Sequence, residues 1–226
     1  MVLKVLGSGS SGNCYILESD IEALIIEAGL PFMEVKKALN FNVRKIVGVV
    51  ATHSHNDHSK YIAEYEKVGI TVYKPYEEYD WAYTHKFGNF SIRPFDLVHD
   101  VPCFGFHIIH PDIGNLIYAS DTEYIKYRFK NLNHILCEAN YSDDLVERDA
   151  VNREHILKGH MSLKTALDFI STNDNPNLRT VCLLHLSASN SDANYFLQKT
   201  KETIKYGADC YIAEKGLEVD LNLVPF

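Results

Sequence analysis

The chain has 226 residues, of which 46% are hydrophobic and 12% aromatic, and it carries a formal net charge of −8. That length suits one domain with a sizeable core, expected to run over residues 1–226 without a linker, and the negative balance argues against a broad basic surface that grips long nucleic acid through phosphates alone, while leaving room for a local basic patch or bound cations to attract phosphate. The N-terminal apolar run is too short for a signal peptide and no stretch reaches the ~18 apolar residues of a membrane span, so a cytoplasmic protein with no membrane partner is expected.

The elements follow in chain order. Residues 2–6 read as a strand, the turn-rich 7–13 follows, and strands at 14–18 and 21–27 form a hairpin through Ser19 and Asp20. Pro31 opens a helix to Leu39. The apolar run 46–51 is a buried strand. Residues 61–67 read as a helix and 71–74 as a short strand, while 76–83 show no clear period. Three strands follow at 90–98, 103–110 and 115–120, then one at 134–139. Residues 143–157 are charged and helical in part, 161–171 carry Leu163, Ala166, Leu167 and Ile170 on one helical face, and 180–184 are a buried strand. A helix at 190–206 and strands at 210–213 and 217–223 close the chain. Strands predominate early and then alternate with helices, which predicts a layered α/β sandwich. The five cysteines are scattered and unpaired in pattern, as buried free thiols are.

Chemistry concentrates after the strand at 46–51. His53, His55, Asp57 and His58 place four potential metal ligands within six residues. His53 and His55 alternate, so both imidazoles of an extended segment project to one side, whereas Asp57 and His58 point elsewhere once the loop turns. Two neighbouring metals accommodate this better than one crowded ion. Further candidates end other strands: His99, Asp121 and His185. The expected division is His53, His55 and His99 at one metal and Asp57, His58 and His185 at the other, with Asp121 bridging. Histidine-rich ligation suits Zn²⁺, and mixed histidine and carboxylate sites also take Mn²⁺. Two such ions would lower the pKa of a water and clamp the attacking and leaving oxygens of a phosphodiester. His85, His107, His110, His134 and His155 have no such support and read as structural.

His-X-His-X-Asp-His at 53–58, with His99, Asp121 and His185, resembles the metallo-β-lactamase superfamily over nearly the whole chain. More narrowly the chain is similar to the YycJ/WalJ branch, related to RNase Z, through Gly7-Ser8-Gly9-Ser10-Ser11-Gly12-Asn13-Cys14, Glu138-Ala139-Asn140, Gly159-His160-Met161-Ser162 and His185-Leu186-Ser187. The resemblance implies a four-layer αββα sandwich, two divalent ions per chain and hydrolysis of a nucleic acid or nucleotide phosphodiester, with DNA exonuclease activity. By analogy it also suggests a homodimer. It further implies that His160, held by Glu138, protonates the leaving oxygen, so His160 and Glu138 join Asp57 as catalytic candidates.

Two departures stand out. Glu27 occupies the place of the family's usual aspartate, which buttresses the metal loop, so that support must be rearranged. Asp57-His58-Ser59-Lys60 replaces the Asp-His-X-Gly-Gly of thioesterases and weakens that reading. The rivals are a cyclic-nucleotide or small-nucleotide phosphodiesterase, plausible for a chain without an inserted clamp domain, then a thioester hydrolase, and a non-catalytic nucleotide-binding regulator. The 7–12 turn lacks the Gly-Lys-Ser/Thr of a P-loop and reads as a tight turn beside the site. Residues 126–130, Lys-Tyr-Arg-Phe-Lys, suit either a solvated helix face or a surface that guides a strand and stacks a base.

Overall fold

The structure is a computed structural model that describes residues 1–145 and 159–224. Its strands are β1 (Val2–Gly7), β2 (Cys14–Glu18), β3 (Ala23–Ile26), β4 (Ile46–Val50), β5 (Val72–Tyr73), β6 (His85–Phe87) and β7 (Phe90–Leu97). They continue with β8 (Cys103–His110), β9 (Gly114–Ala119), β10 (His134–Glu138), β11 (Thr180–Leu184), β12 (Asp209–Ile212) and β13 (Glu218–Asp220). The helices are α1 (Phe32–Ala38), α2 (Asn56–Ser59), α3 (Ile62–Glu66), α4 (Leu163–Asn173) and α5 (Ala193–Thr203).

The strands form two sheets, a six-stranded one in the order β13-β1-β2-β3-β4-β5 and a seven-stranded one in the order β12-β11-β10-β9-β8-β7-β6. Alternation along each strand divides the apolar residues between two faces. Leu3, Tyr15, Leu17, Leu24 and Ile26 of the first sheet meet Ile92, Phe106, Tyr118, Leu136 and Cys182 of the second in a shared core. The intervening residues face outward: Ile16, Ile25 and Val49 pack with Phe32, Val35 and Tyr65 of the helical layer. On the far side Ile117, Ile135, Cys137 and Val181 pack under Leu163, Ala166, Ile170 and Phe196. The result is the four-layer αββα sandwich that the resemblance implies.

Capping sets the helix limits. Ser162 accepts from Thr165 N at the start of α4, and Asp192 accepts from Tyr195 N at the start of α5. The last helix is therefore shorter than the expected 190–206. Residues 75–77 form a 3₁₀ turn, and β6, which periodicity missed, pairs with β7. Residues 126–130 are not helical. The helical expectation for 143–157 falls mostly on residues outside the described ones, as does His155. Cys14, Cys103, Cys137, Cys182 and Cys210 are buried free thiols. No helix among the described residues is long and apolar enough to cross a membrane.

Strand direction positions the site. β9 through β12 run parallel, so their C-terminal ends share one edge. β7 and β9 are each antiparallel to β8, which brings the end of β7 to that same edge. In the facing sheet β3, β4 and β5 are parallel. Ligand-rich loops therefore leave β4, β7, β9, β10 and β11 side by side, as expected at the carboxyl ends of strands.

Candidate active site

Gly29 fixes how closely the loops approach one another. A Cβ there would lie 1.7 Å from the Asp57 carbonyl oxygen and 2.7 Å from Asn13 N, so a side chain would force the 53–58 loop away. The backbone closes the junction: Asn13 N donates to Asp57 O (2.7 Å), Ala28 N to His58 O (2.7 Å) and Gly29 N to Asn13 O (3.0 Å). The glycine- and serine-rich turn thus lies beside the site. Its Ser8 Oγ accepts from His185 N at 2.9 Å, and Asn13 Nδ2 lies 2.9 Å from His58 Nε2.

Three groups of side chains each hold their potential ligand atoms within 4.8 Å of one another: His53, His55 and His99; Asp57, His58, Asp121 and His185; and Asp121, Glu138, His160 and His185. The first brings together the three histidines expected at one metal, and the second brings together Asp57, His58 and His185 with Asp121. Asp121 falls in the second and third groups and not with the first, and the third places His160 and Glu138 beside the ligand candidates.

Hydrogen bonding assigns the ring nitrogens. Thr52 Oγ1 donates its one proton to Glu27 Oε1 (2.6 Å), so at its contact with His53 Nδ1 (2.9 Å) the imidazole is the donor. His53 Nε2 then carries a buried lone pair with no hydrogen-bond partner. His99 Nδ1 likewise donates to the Gly159 carbonyl (2.9 Å), leaving His99 Nε2 to face His55 Nδ1 at 3.3 Å. His185 Nε2 also lacks a hydrogen-bond partner, the Asp57 carboxylate being 3.7 Å away. Orphaned, inward-facing imidazole nitrogens beside carboxylates fit divalent cations.

Glu27 shows how the longer acid is accommodated. It is fully buried and adopts φ 67°. One carboxylate oxygen accepts from the Thr52 hydroxyl and the Tyr118 hydroxyl (3.3 Å) and lies at ion-pair distance from His58 Nδ1 (3.2 Å), and the other accepts from Thr52 N (3.2 Å). It therefore steadies His58 directly and His53 through Thr52. Asp121 and His185 also have positive φ, 52° and 55°. Such backbone costs about 1–3 kcal/mol per residue and concentrates at functional sites.

Glu138 ends β10 fully buried. It accepts from His160 Nδ1 at 2.6 Å, Thr122 N at 2.9 Å and Met161 N at 3.2 Å. The His160 ring stacks on that of His185 with centroids 5.3 Å apart. Burial alone would depress the His160 imidazole, but the Glu138 carboxylate beside it raises its pKa. Burial would raise Asp121, yet the His185 and His58 imidazoles hold its carboxyl well below the usual range. His185 is opposed by burial too, and Asp121, Asp57 and Glu138 together lift it to about 10. His53 is pushed down to about 2, by burial first and His58 next. The carboxylate side of the site thus draws positive charge, while the His53 side keeps a neutral imidazole suited to ligation.

Asp100 went unnoticed in the sequence. Its carboxylate lies 3.1 Å from His99 Nε2 and 3.5 Å from His55 Nε2. Adjacency to His99 was the only signal.

Residues 7–127, just over half of the chain, match the model of the metallo-beta-lactamase superfamily. The chain belongs to that superfamily. It is a hydrolase of this group, 24% identical over an alignment 249 positions long to exodeoxyribonuclease YycJ of Bacillus anthracis, covering 96% of this chain and 90% of that one. Its fold is similar to that of the metallo-beta-lactamase fold protein YhfI from Bacillus subtilis, with TM-score 0.74, 16% identity, and coverage of 96% of this chain and 98% of the other. Human tRNase Z, short form, gives TM-score 0.65 at 12% identity, with coverage of 98% and 99%.

Proposed function

We propose that this chain is a phosphodiester hydrolase that uses two divalent ions, Zn²⁺ or Mn²⁺, and acts on nucleic acid as a DNA exonuclease. The observation that carries the proposal is the Glu138–His160 pair set against the ligand clusters, His160 Nδ1 lying 2.6 Å from the carboxylate. His53, His55 and His99 would hold one ion. Asp57, His58 and His185 would hold the other, with Asp121 shared. Ions held there would supply an activated water and stabilise charge on phosphoryl oxygens.

The rest belongs to the protein's own groups. Glu138 is satisfied by Thr122 N and Met161 N, so it is fixed in place and orients His160. With Nδ1 engaged, His160 delivers its proton from Nε2 to the departing oxygen. A thioester releases a thiolate, which needs no such donor, so the pair favours a phosphodiester whose leaving group is an alkoxide. The relative named as an exodeoxyribonuclease supports DNA as the polymer.

End-labelled DNA, cyclic nucleotides and lactoylglutathione offered to the metal-loaded enzyme separate the candidates. Stepwise release of mononucleotides from DNA is expected. Hydrolysis of cyclic nucleotides with intact DNA would move the function to small nucleotides, and thioester turnover alone would overturn the proposal.

A further inference from the structure

We propose that an aromatic cavity on the outer face of the seven-stranded sheet is a nucleobase-binding subsite for the nucleic-acid strand. It rests on the nuclease reading and adds to it where the rest of the strand lies.

The cavity has a volume of about 350 Å³ and is bounded by Trp81, Pro94, Phe95, Tyr127 and Phe129, with Arg93 at its edge. Residues 126–130 explain how it forms. Their backbone is irregular, so alternate side chains diverge: Tyr127 and Phe129 turn inward onto β7, while Lys126, Arg128 and Lys130 remain exposed. Lys126 and the Tyr127 hydroxyl both bind Asp96, which holds the segment against the strand. The rings of Tyr127 and Phe129 meet Phe95 at 75° and 56°, with centroids 5.7 and 5.0 Å apart. Rings set edgewise in this way wall a box and leave ring faces available, where parallel stacking would have closed it.

Charge identifies the occupant. The chain is acidic overall, with a formal net charge of −8. Even so, Arg93, Arg128 and Lys130 are exposed, and no carboxylate lies within ion-pair distance of them among the described residues. Aromatic faces combined with unspent cations match a single strand, whose bases stack without regard to sequence and whose phosphates take the positive charge. Tyr79 and Tyr83, on the loop that carries Trp81, are strongly exposed as well.

Position links the cavity to the chemistry. Phe95 and Arg93 lie on β7, the strand that leads to His99. At ~3.3 Å per strand residue, Phe95 is roughly 13 Å and Arg93 roughly 20 Å from His99 along the chain. Because these lengths are upper limits on the separation, a strand with its terminal phosphate at the site reaches the cavity within a few nucleotides.

Trp81 is the chain's sole tryptophan, so its emission reports directly on the cavity. The test titrates the metal-loaded full chain with a phosphorothioate-linked thymidine octanucleotide, which resists cleavage, and follows Trp81 fluorescence together with the anisotropy of a labelled copy. Saturable quenching that tracks anisotropy is expected. Arg93→Ala, an exposed position whose loss leaves the core intact, should weaken octanucleotide binding about tenfold, and Tyr127→Ala by a similar factor. Octanucleotide binding with unchanged Trp81 emission and unchanged affinity in Arg93→Ala would overturn the subsite and leave the nuclease reading standing. Absence of octanucleotide binding in an enzyme that cleaves bis(p-nitrophenyl) phosphate would overturn the subsite and point to small substrates. Absence of both would overturn the nuclease reading itself.

Discussion

Two buried histidine–carboxylate clusters lie at opposite ends of β3, and they are built to different ends. At one end Glu22 Oε1 takes His110 Nε2 (3.2 Å) and Asn89 Nδ2 (2.5 Å), Oε2 takes Asn89 N (2.9 Å), and His110 Nδ1 accepts from Asp112 N (3.1 Å). Every one of these groups is spent on another, and the cluster clamps one sheet to the other. At the opposite end Glu27 engages Thr52, Tyr118 and His58, yet His53 Nε2 and His185 Nε2 stay buried without a hydrogen-bond partner. Buried polar atoms are nearly always satisfied; unpartnered nitrogens also occur singly at His134, so it is their convergence with carboxylates at this one end that marks function, while the spent cluster marks stability.

The largest effect should come from Asp121→Ala. Phosphodiester hydrolysis should drop about 10³-fold or more, because the carboxylate that draws His58 and His185 together is lost. Metal content by atomic emission should fall while the far-ultraviolet circular dichroism remains native. Retained activity would erase the distinction between the two ends.

His160→Ala should lower kcat about 10²–10⁴-fold on DNA, the range for a positioned proton donor. The loss should be much smaller on bis(p-nitrophenyl) phosphate, whose leaving group needs little protonation, and metal content should not change. Equal losses on both substrates would make His160 a ligand or a structural group, as its place in the third cluster permits.

The clamp should respond in the opposite sense. Glu22→Ala should cost about 3 kcal/mol, since it strands Asn89 N and His110, and lower the melting temperature by roughly 10 °C. Turnover per folded molecule should hold.

Another buried histidine gives a pH signature of stability away from the site. Burial pushes His134 down to about 4 in the folded protein, so it stays neutral while the unfolded chain takes up a proton below about 6.5. The protein should therefore keep full stability above pH 6.5 and lose about 3 kcal/mol as the pH falls towards 4, with no further loss from this group below that. Urea midpoints at pH 7 and pH 5 should converge in His134→Leu relative to wild type.

Glu27→Asp carries the smallest expected effect. The shorter side chain cannot keep both Thr52 and Tyr118, and metal affinity measured by calorimetry should fall about 10- to 100-fold.

The two ends differed in how far the sequence revealed them. Strand ends carrying His53, His99, Asp121 and His185 were legible because hydrophobic runs stop where the polar residues begin. The four layers followed from period-2 alternation together with the family resemblance. Thr52 and Tyr118 as partners of Glu27, and Asp100 beside His55, were not legible, since these contacts join positions distant in sequence. Nor could the positive φ be read from residue type: Glu27 ordinarily avoids it, and Asp121 and His185, of types that adopt it more often, carry no local sign of it. The clamp was hidden for the same reason: Glu22 and His110 lie 88 residues apart. Residues 126–130 left two readings open, because alternate aromatic and basic residues serve an irregular chain as readily as a helix.

The central claim is that cations occupy the unspent end and make it a phosphodiesterase. Hydrolysis of bis(p-nitrophenyl) phosphate by the metal-stripped chain, before and after addition of Zn²⁺ or Mn²⁺, tests it most directly. Turnover absent from the stripped protein and restored as two equivalents are bound is the expected result. Full turnover without metal, or two bound ions with no turnover of this or any phosphodiester, would contradict it.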